Sequence, residues 1–390
     1  MSAPPAAPLR GVRVVELGTL ITCPLAGLLL ADLGADVIKV ERPQTGDLFR
    51  AYGGDPYNGY FVAYNRNKRG IVLDLQSDRG RDVLRRLLAS ADVVTDNFRA
   101  GVMERLGFGD EALRAINPRL IACSITGFGT GGPYVDRPSF DAVGQGLSGL
   151  SSLFVEPERP EIVGPTISDP MAGYYAAYGI LGALMERERT GIARRVDVNM
   201  LETAIAFIQD AFALYSRSGR APVPLSRAAA SQAHAFRCAD GKLLAIHLSN
   251  PEKFWRGALA ALGREELADD PRFATYPLRV ENYVALRIEL CAAAATKTRP
   301  ELMLALEEHE VGFAPINTLP DVLADPQVAY LETFADLERD EFPPVRVVRR
   351  PVRYDGSRAD QPMRPAPLLG EHTDEVLREL GYDERMRTPC

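Results

Sequence analysis

The sequence of 390 residues predicts an α/β protein, with a large domain built on a parallel sheet and a smaller α+β domain. Three observations carry this reading. Between residues 11 and 127, short β-branched runs alternate with amphipathic helical stretches, the pattern of parallel strands joined by right-handed crossovers in a Rossmann-like sheet with helices on both faces. Near residue 216, Arg, Gly and Pro concentrate and the alternation stops. A hairpin and then consecutive helices follow, which is a different pattern of assembly.

Taken in order, residues 12–17, 36–40, 70–75, 92–96 and 120–126 are rich in Val, Ile and Leu and read as strands, with helices at 24–33, 78–91 and 100–116 between them. Residues 127–165 are rich in Gly, Pro and Ser and read as loop with short helical turns, and loops at strand ends commonly carry function. A long helix at 169–189, a strand at 195–200 and a helix at 201–215 close the first part. Ala239-Asp240-Gly241 is a turn signal joining strands at 233–238 and 242–248, and helices are expected at 251–262, 283–295 and 299–310. A strand within 345–354 and a helix at 373–380 need a large surface to pack on and are assigned back to the first domain. The expected division is therefore 1–215 with 345–390 as the large domain and 226–325 as the small one, with linkers at 216–225 and 326–344.

Composition narrows the class of function. Hydrophobic and charged contents of 46% and 25% are ordinary for a globular protein, and a net charge of −7 argues against nucleic acid as a partner. Five scattered cysteines without a C-x-x-C pair suit reduced thiols and a cytoplasmic location. The Ala/Pro-rich first eight residues lack the regions of a signal peptide, and the longest apolar run, at 24–33, is about half of what a bilayer span needs. Neither a membrane segment nor a bound metal is expected. The first strand-to-helix turn, Gly18-Thr19-Leu20-Ile21-Thr22-Cys23, is not G-x-G-x-x-G, and no G-x-x-x-x-G-K-[ST] loop occurs, which weakens both NAD and ATP as ligands. In such a sheet the ligand is expected beyond the carboxyl ends of the strands.

Asp169 stands at the start of the most helical stretch, with Pro170 next to it, and reads as that helix's N-cap. A carboxylate at a helix start is either a cap alone or also a nucleophile toward an activated acyl group.

Seven runs in order resemble the class III CoA-transferases, which include formyl-CoA and carnitine CoA-transferases. They are Leu33-Gly34-Ala35-Asp36 through Glu41-Arg42-Pro43; Asn67-Lys68-Arg69-Gly70 through Asp74-Leu75; Asn97-Phe98 with Gly101 and Arg105-Leu106-Gly107; Ile125-Thr126-Gly127-Phe128-Gly129; Gly132-Pro133-Tyr134 with Asp136-Arg137-Pro138; Arg187-Glu188-Arg189-Thr190-Gly191; and Pro367-Leu368-Leu369-Gly370-Glu371-His372-Thr373. They span nearly the whole chain. The resemblance implies that Asp169 is the nucleophile, attacking an acyl-CoA thioester to give a mixed anhydride and then an aspartyl-CoA thioester. It further implies that Arg42, Leu73, Gln76, Asn97, Phe98 and Arg105 line the CoA groove and that Leu20, Ile21 and Thr22 face the thioester. Tyr134, His247 and Asn250 are candidates for the acceptor side, the last two in a segment that could close over the site.

CoA enters this picture as part of the substrate, with no tightly bound cofactor. Succinyl-CoA is the expected donor, a free carboxylic acid the acceptor, and a homodimer of interlocked rings the expected assembly. Ile21 stands where formyl-CoA transferase carries Gln, and Gln76 where it carries Lys, and both departures weaken a formyl/oxalate assignment. The rival within the same fold is a 2-methylacyl-CoA racemase, which uses a His before the Asp and a Glu of the small domain. Phe140 stands where that His is expected, and Ser249 and Asn250 fill the region of the Glu. A non-catalytic acyl-CoA-binding subunit is the alternative of another class, and the presence of Asp169 speaks against it.

Overall fold

The computed structural model describes residues 7–249, 251–358 and 363–382. Two compact units are formed, the first from Met1–Ser151, Ile162–Gln209 and Glu332–Cys390, the second from Ser152–Glu161 and Asp210–Leu331.

The first unit holds six parallel strands, β1 (Arg13–Glu16), β2 (Asp36–Glu41), β3 (Arg69–Val72), β4 (Val93–Asp96), β5 (Ile121–Thr126) and β6 (Val196–Asn199), in the order β3-β2-β1-β4-β5-β6. Every pairing is parallel. Successive residues of a strand point to opposite faces, so Val14 and Val93 pack on one side while their neighbours Val15 and Val94 pack on the other. On the first side lie α1 (Thr22–Asp32) and residues of the long helix Ser168–Thr190; on the second lie the helices Asp78–Ala89 and Thr373–Glu379. Burial on both faces explains the runs of Val and Ile at the centres of these strands. The strand order reverses between β1 and β4, and a doubly wound sheet leaves its ligand crevice at the carboxyl ends there.

Several expectations are corrected. Two elements were not foreseen between β2 and β3, a 3-10 segment Leu48–Gly54 and α2 (Gly59–Asn65), whose start is capped by the Asn58 side chain accepting from Tyr60 N and Phe61 N. After α3 (Asp78–Ala89), the helix expected at 100–116 is split into α4 (Val102–Arg105) and α5 (Asp110–Ile116), because Gly107 takes φ +86° and ends the first helix. Within the Gly-rich loop runs α6 (Asp141–Leu147), ahead of α7 (Ser168–Thr190). The helix expected at 201–215 is two, α8 (Met200–Phe207) and α9 (Gln209–Ser218), and α9 extends into the 216–225 linker. The linker expected at 326–344 contains a helix, Pro326–Tyr330, and most of a hairpin, β10 (Phe334–Arg339) and β11 (Phe342–Val348), once the second unit's strands are numbered.

In the second unit β7 (Ala233–Arg237), β8 (Leu243–His247) and β9 (Phe313–Pro315) form an antiparallel sheet in that order, β9 being unforeseen. Helices Glu252–Leu262, Tyr283–Ala294 and Arg299–Glu308 enclose a core around Phe236, Trp255 and Phe273. No helix among the described residues is long and apolar enough to cross a membrane.

Candidate active site

The crevice begins at the loop between β1 and α1. Gly18 packs so tightly there that a Cβ would lie 2.3 Å from Cys23 Cβ. Leu20 takes φ +64°, a strained left-handed conformation for a side chain of this size. Something must hold it, and two side chains do. Asn97, at the end of β4, accepts from Thr19 N at 3.1 Å and donates to Thr19 O at 2.8 Å and Thr22 Oγ1 at 2.9 Å. Asp47 accepts from Leu20 N at 3.1 Å and from Phe49 N at 2.9 Å.

Beneath the loop lies a fully buried charge network. Lys39 Nζ donates to Gly18 O at 2.8 Å and pairs with Glu16 Oε1 at 3.0 Å and Asp47 Oδ2 at 2.8 Å. The other Glu16 oxygen meets Lys68 Nζ at 2.7 Å, and Lys68 is completed by Pro24 O at 2.8 Å and Asn65 Oδ1 at 3.0 Å. Burial opposes charge on Lys39, but Asp47 and Glu16 together hold its ammonium above the ordinary lysine range. Burial brings Lys68 down to about 8 against the pull of Glu16. Gly27 makes the room, since a Cβ there would sit 1.9 Å from Glu16 Oε2.

Asp169 approaches this loop from α7. Gly173, one turn further on, lies against α1, where a Cβ would come 2.8 Å from Thr22 O and 3.0 Å from Leu25 Cβ. The expected cap is corrected here: Ile167 is the N-cap, and Asp169 is the second residue of the helix, Pro170 the third. Ile167 has no capping side chain, and the work passes to Asp141 at the start of α6. Asp141 Oδ1 accepts from Ile167 N at 2.8 Å and from Asp169 N at 3.1 Å. Asp169 is half-buried, and burial followed by the neighbouring charge of Asp141 pushes its carboxyl up to about 7. Tyr64 is raised as well, by burial and then by Asp169. A carboxylate so poorly solvated is a stronger nucleophile and base than one in water.

Two clefts open at the switch point. One, of about 270 Å³, is lined by Leu20, Ile21, Thr22, Asn97, Phe98 and Asp169. The other, of about 690 Å³, is lined by Arg42, Leu73, Gln76 and Phe98. Thr19 and Phe98 belong to both. Among the described residues Asp169 is thus the one carboxylate on the smaller cleft, with Arg99 and Arg137 among its other polar walls. Arg105 is exposed at the end of α4 and lines neither cleft. Tyr134 stacks beneath the Arg137 guanidinium, 3.9 Å from ring centre to Cζ, and does not line the Asp169 cleft. His247 lies in the second unit with Nε2 2.9 Å from Ser249 Oγ, and Asn250 lies outside the described residues. Among the described residues, no group of His, Cys, Asp and Glu is arranged to hold a metal ion.

Sequence reasoning missed Asp141 and the buried network. A signal for the network was present, because Lys39 stands between Ile38 and Val40 in a strand expected to be buried, and a charge there needs a buried partner.

The model of CoA-transferase family III matches residues 9–373. The chain belongs to that family. A succinate–glutarate CoA-transferase of Agrobacterium fabrum is 38% identical to this CoA-transferase, over 98% of each chain. A succinyl-CoA–D-citramalate CoA-transferase of Chloroflexus aurantiacus is 33% identical, over 96% of this chain and 94% of the relative. The crystal structure of a CAIB/BAIF family protein from Brucella suis superposes with a TM-score of 0.85 at 36% identity, covering 96% of this CoA-transferase and all of that chain. The shared fold includes the parallel sheet on which Asp169 and both clefts are built.

Proposed function

We propose that this CoA-transferase moves CoA from succinyl-CoA to a free dicarboxylic acid such as glutarate, with Asp169 as the covalent carrier. The observation that carries the proposal is a half-buried carboxylate, raised to about 7, on a small cleft that shares a wall with a larger one. The larger cleft would take the nucleotide end of CoA against Arg42, Leu73 and Gln76, and Phe98 would lie beside the pantetheine arm. Leu20, Ile21 and Thr22 would face the thioester, at a helix start whose first N–H groups have no partner within the helix. The names of the relatives support the donor and the dicarboxylate class.

The steps conserve atoms and charge. An Asp169 oxygen adds to the thioester carbonyl carbon, the C–S bond breaks, and a mixed anhydride and CoA thiolate form. The thiolate adds to the aspartyl carbonyl and expels the donor acid as its carboxylate, leaving aspartyl-CoA. The acceptor carboxylate then attacks, and the same two steps in reverse release the new thioester and the Asp169 carboxylate. Arg105 and Tyr134 are retained as candidates for substrate contacts within this proposal.

Racemisation at C2 is disfavoured by the cleft itself, because no histidine is among the described residues that line it and Phe140 occupies its wall. Mass spectrometry of all CoA thioesters after incubation with succinyl-CoA and a panel of free acids tests the proposal. A new thioester supports transfer and names the acceptor. Deuterium uptake at C2 of a 2-methylacyl-CoA without any new thioester would replace the reading with racemase.

The nucleophilic form of Asp169 is the anion, so kcat/KM for the acyl-CoA is expected to fall below about pH 7, roughly tenfold per pH unit. A profile flat down to pH 5 would contradict the assigned environment.

We infer a homodimer of interlocked rings and a cytoplasmic location, in keeping with the family resemblance. Tyr174, Tyr178 and Met185 form one stripe along α7, the last two 74% and 64% exposed, an apolar surface of the kind that a second chain covers. Sedimentation is expected to report about twice 42.6 kDa, and a monomer at micromolar concentration would refute the dimer.

A further inference from the structure

We propose that Asp141 is a positioning residue for Asp169, a second carboxylate that caps the helix start, aims the Asp169 side chain and opposes its negative charge until that charge passes to substrate. The inference rests on the reading of Asp169 as nucleophile.

The geometry is specific. The first N–H groups of a helix need acceptors from outside it, and a Ser or Asn at position 167 would supply one without adding charge. The chain instead places Ile167 there and brings a carboxylate from 26 residues earlier. Ser168 Oγ donates to Asp141 O at 2.8 Å and lies 3.2 Å from Asp141 Oδ1, while Gln145 Nε2 holds the other carboxylate oxygen at 2.5 Å. Gly144 permits the approach of α6, because a Cβ there would lie 2.6 Å from Ser168 Oγ. The carboxylate is therefore fixed on both oxygens, half-buried, and bound to the backbone of the residue whose side chain it repels.

Two like charges so placed cost stability, and a neutral cap would avoid the cost. The arrangement makes sense if the repulsion is relieved during turnover. When an Asp169 oxygen bonds to the thioester carbon, its charge moves to the thioester oxygen and then to the leaving sulfur. In both the anhydride and the aspartyl-CoA states Asp169 is neutral, so Asp141 favours each of them relative to the free carboxylate. The other ionisable groups around the cleft are Tyr64 from α2, Tyr174 from α7 itself, and Arg99 and Arg137 on the cleft wall. On the neighbouring elements, Glu202 is taken up by Asn199, and Arg195 pairs with Asp197 and Asp110.

Asp141→Asn keeps an acceptor oxygen for the Ile167 and Asp169 amides and removes the charge, whereas Asp141→Ala removes both. An infrared titration, taken as the difference between each protein and its Asp169→Asn counterpart, reads the ionisation of Asp169 without substrate. In Asp141→Asn the midpoint is expected to fall by about one pH unit. At pH 9, where Asp169 is ionised in either protein, kcat with succinyl-CoA and glutarate is expected to fall about tenfold with KM for the thioester unchanged, and further in Asp141→Ala. An unchanged infrared midpoint in Asp141→Asn overturns the proposal whatever the turnover. A wild-type protein that transfers no CoA defeats the nucleophile reading instead, and the infrared result separates the two failures.

Discussion

Asp169→Ala is expected to abolish CoA transfer, lowering kcat by about 10⁴-fold or more, while the protein stays folded and its clefts intact. Among the described residues no other carboxylate lines the Asp169 cleft, so none of them is placed to take over covalent catalysis. The stability of the variant separates lost chemistry from lost structure. The fold raises the Asp169 pKa from 3.8 to about 7, so the folded chain binds the proton more tightly than the unfolded one. The anion is therefore destabilising above about pH 7, and the penalty disappears as pH falls below 3.8. At pH 8 Asp169→Ala should melt at or above the wild-type temperature. Loss of activity together with a lower melting temperature would point to a structural role.

The second large effect lies beneath the loop. Lys39→Met is expected to cost about 3–5 kcal/mol of unfolding free energy in denaturant melts, because it leaves Glu16 and Asp47 buried without their shared cation. Asp47 also holds Leu20 in its strained conformation, so the surviving folded protein should bind acyl-CoA more weakly. Arg346, which pairs with Asp336 on the exposed face of the β10–β11 hairpin, provides the contrast: Arg346→Met should leave the midpoint unmoved. Equal effects from the two substitutions would show that burial is not what gives the network its strength.

The parallel sheet was legible because β-branched runs alternate with helical ones, and because a helix such as α3 buries one face through Val83, Leu84, Leu87 and Leu88, signals that reside within each segment. What escaped depends on distant partners. The start of α7 was misread because its cap, Asp141, arrives from another helix. The β10–β11 hairpin lies where a linker is expected, and its Pro343 and Pro344 are tolerated because a two-stranded ribbon has free edges. Lys39 is visible as a charge between Ile38 and Val40, yet its partners Glu16 and Asp47, and Lys68 beyond them, come together only in the folded chain. Asp169 was singled out by its place before a helix and by resemblance, and Arg42, Leu73, Gln76 and Phe98 do line one cleft. Arg105 resembles a groove residue in its motif, but the break at Gly107 leaves it exposed at the end of a short helix.

If Asp169 is the covalent carrier, its carboxylate becomes acylated during transfer. Trapping with hydroxylamine during turnover with succinyl-CoA, followed by peptide mass spectrometry, tests it most directly. A hydroxamate is expected on Asp169 and nowhere else, absent without succinyl-CoA. Continued transfer with Asp169 unmodified, or with the hydroxamate on another residue, would contradict it.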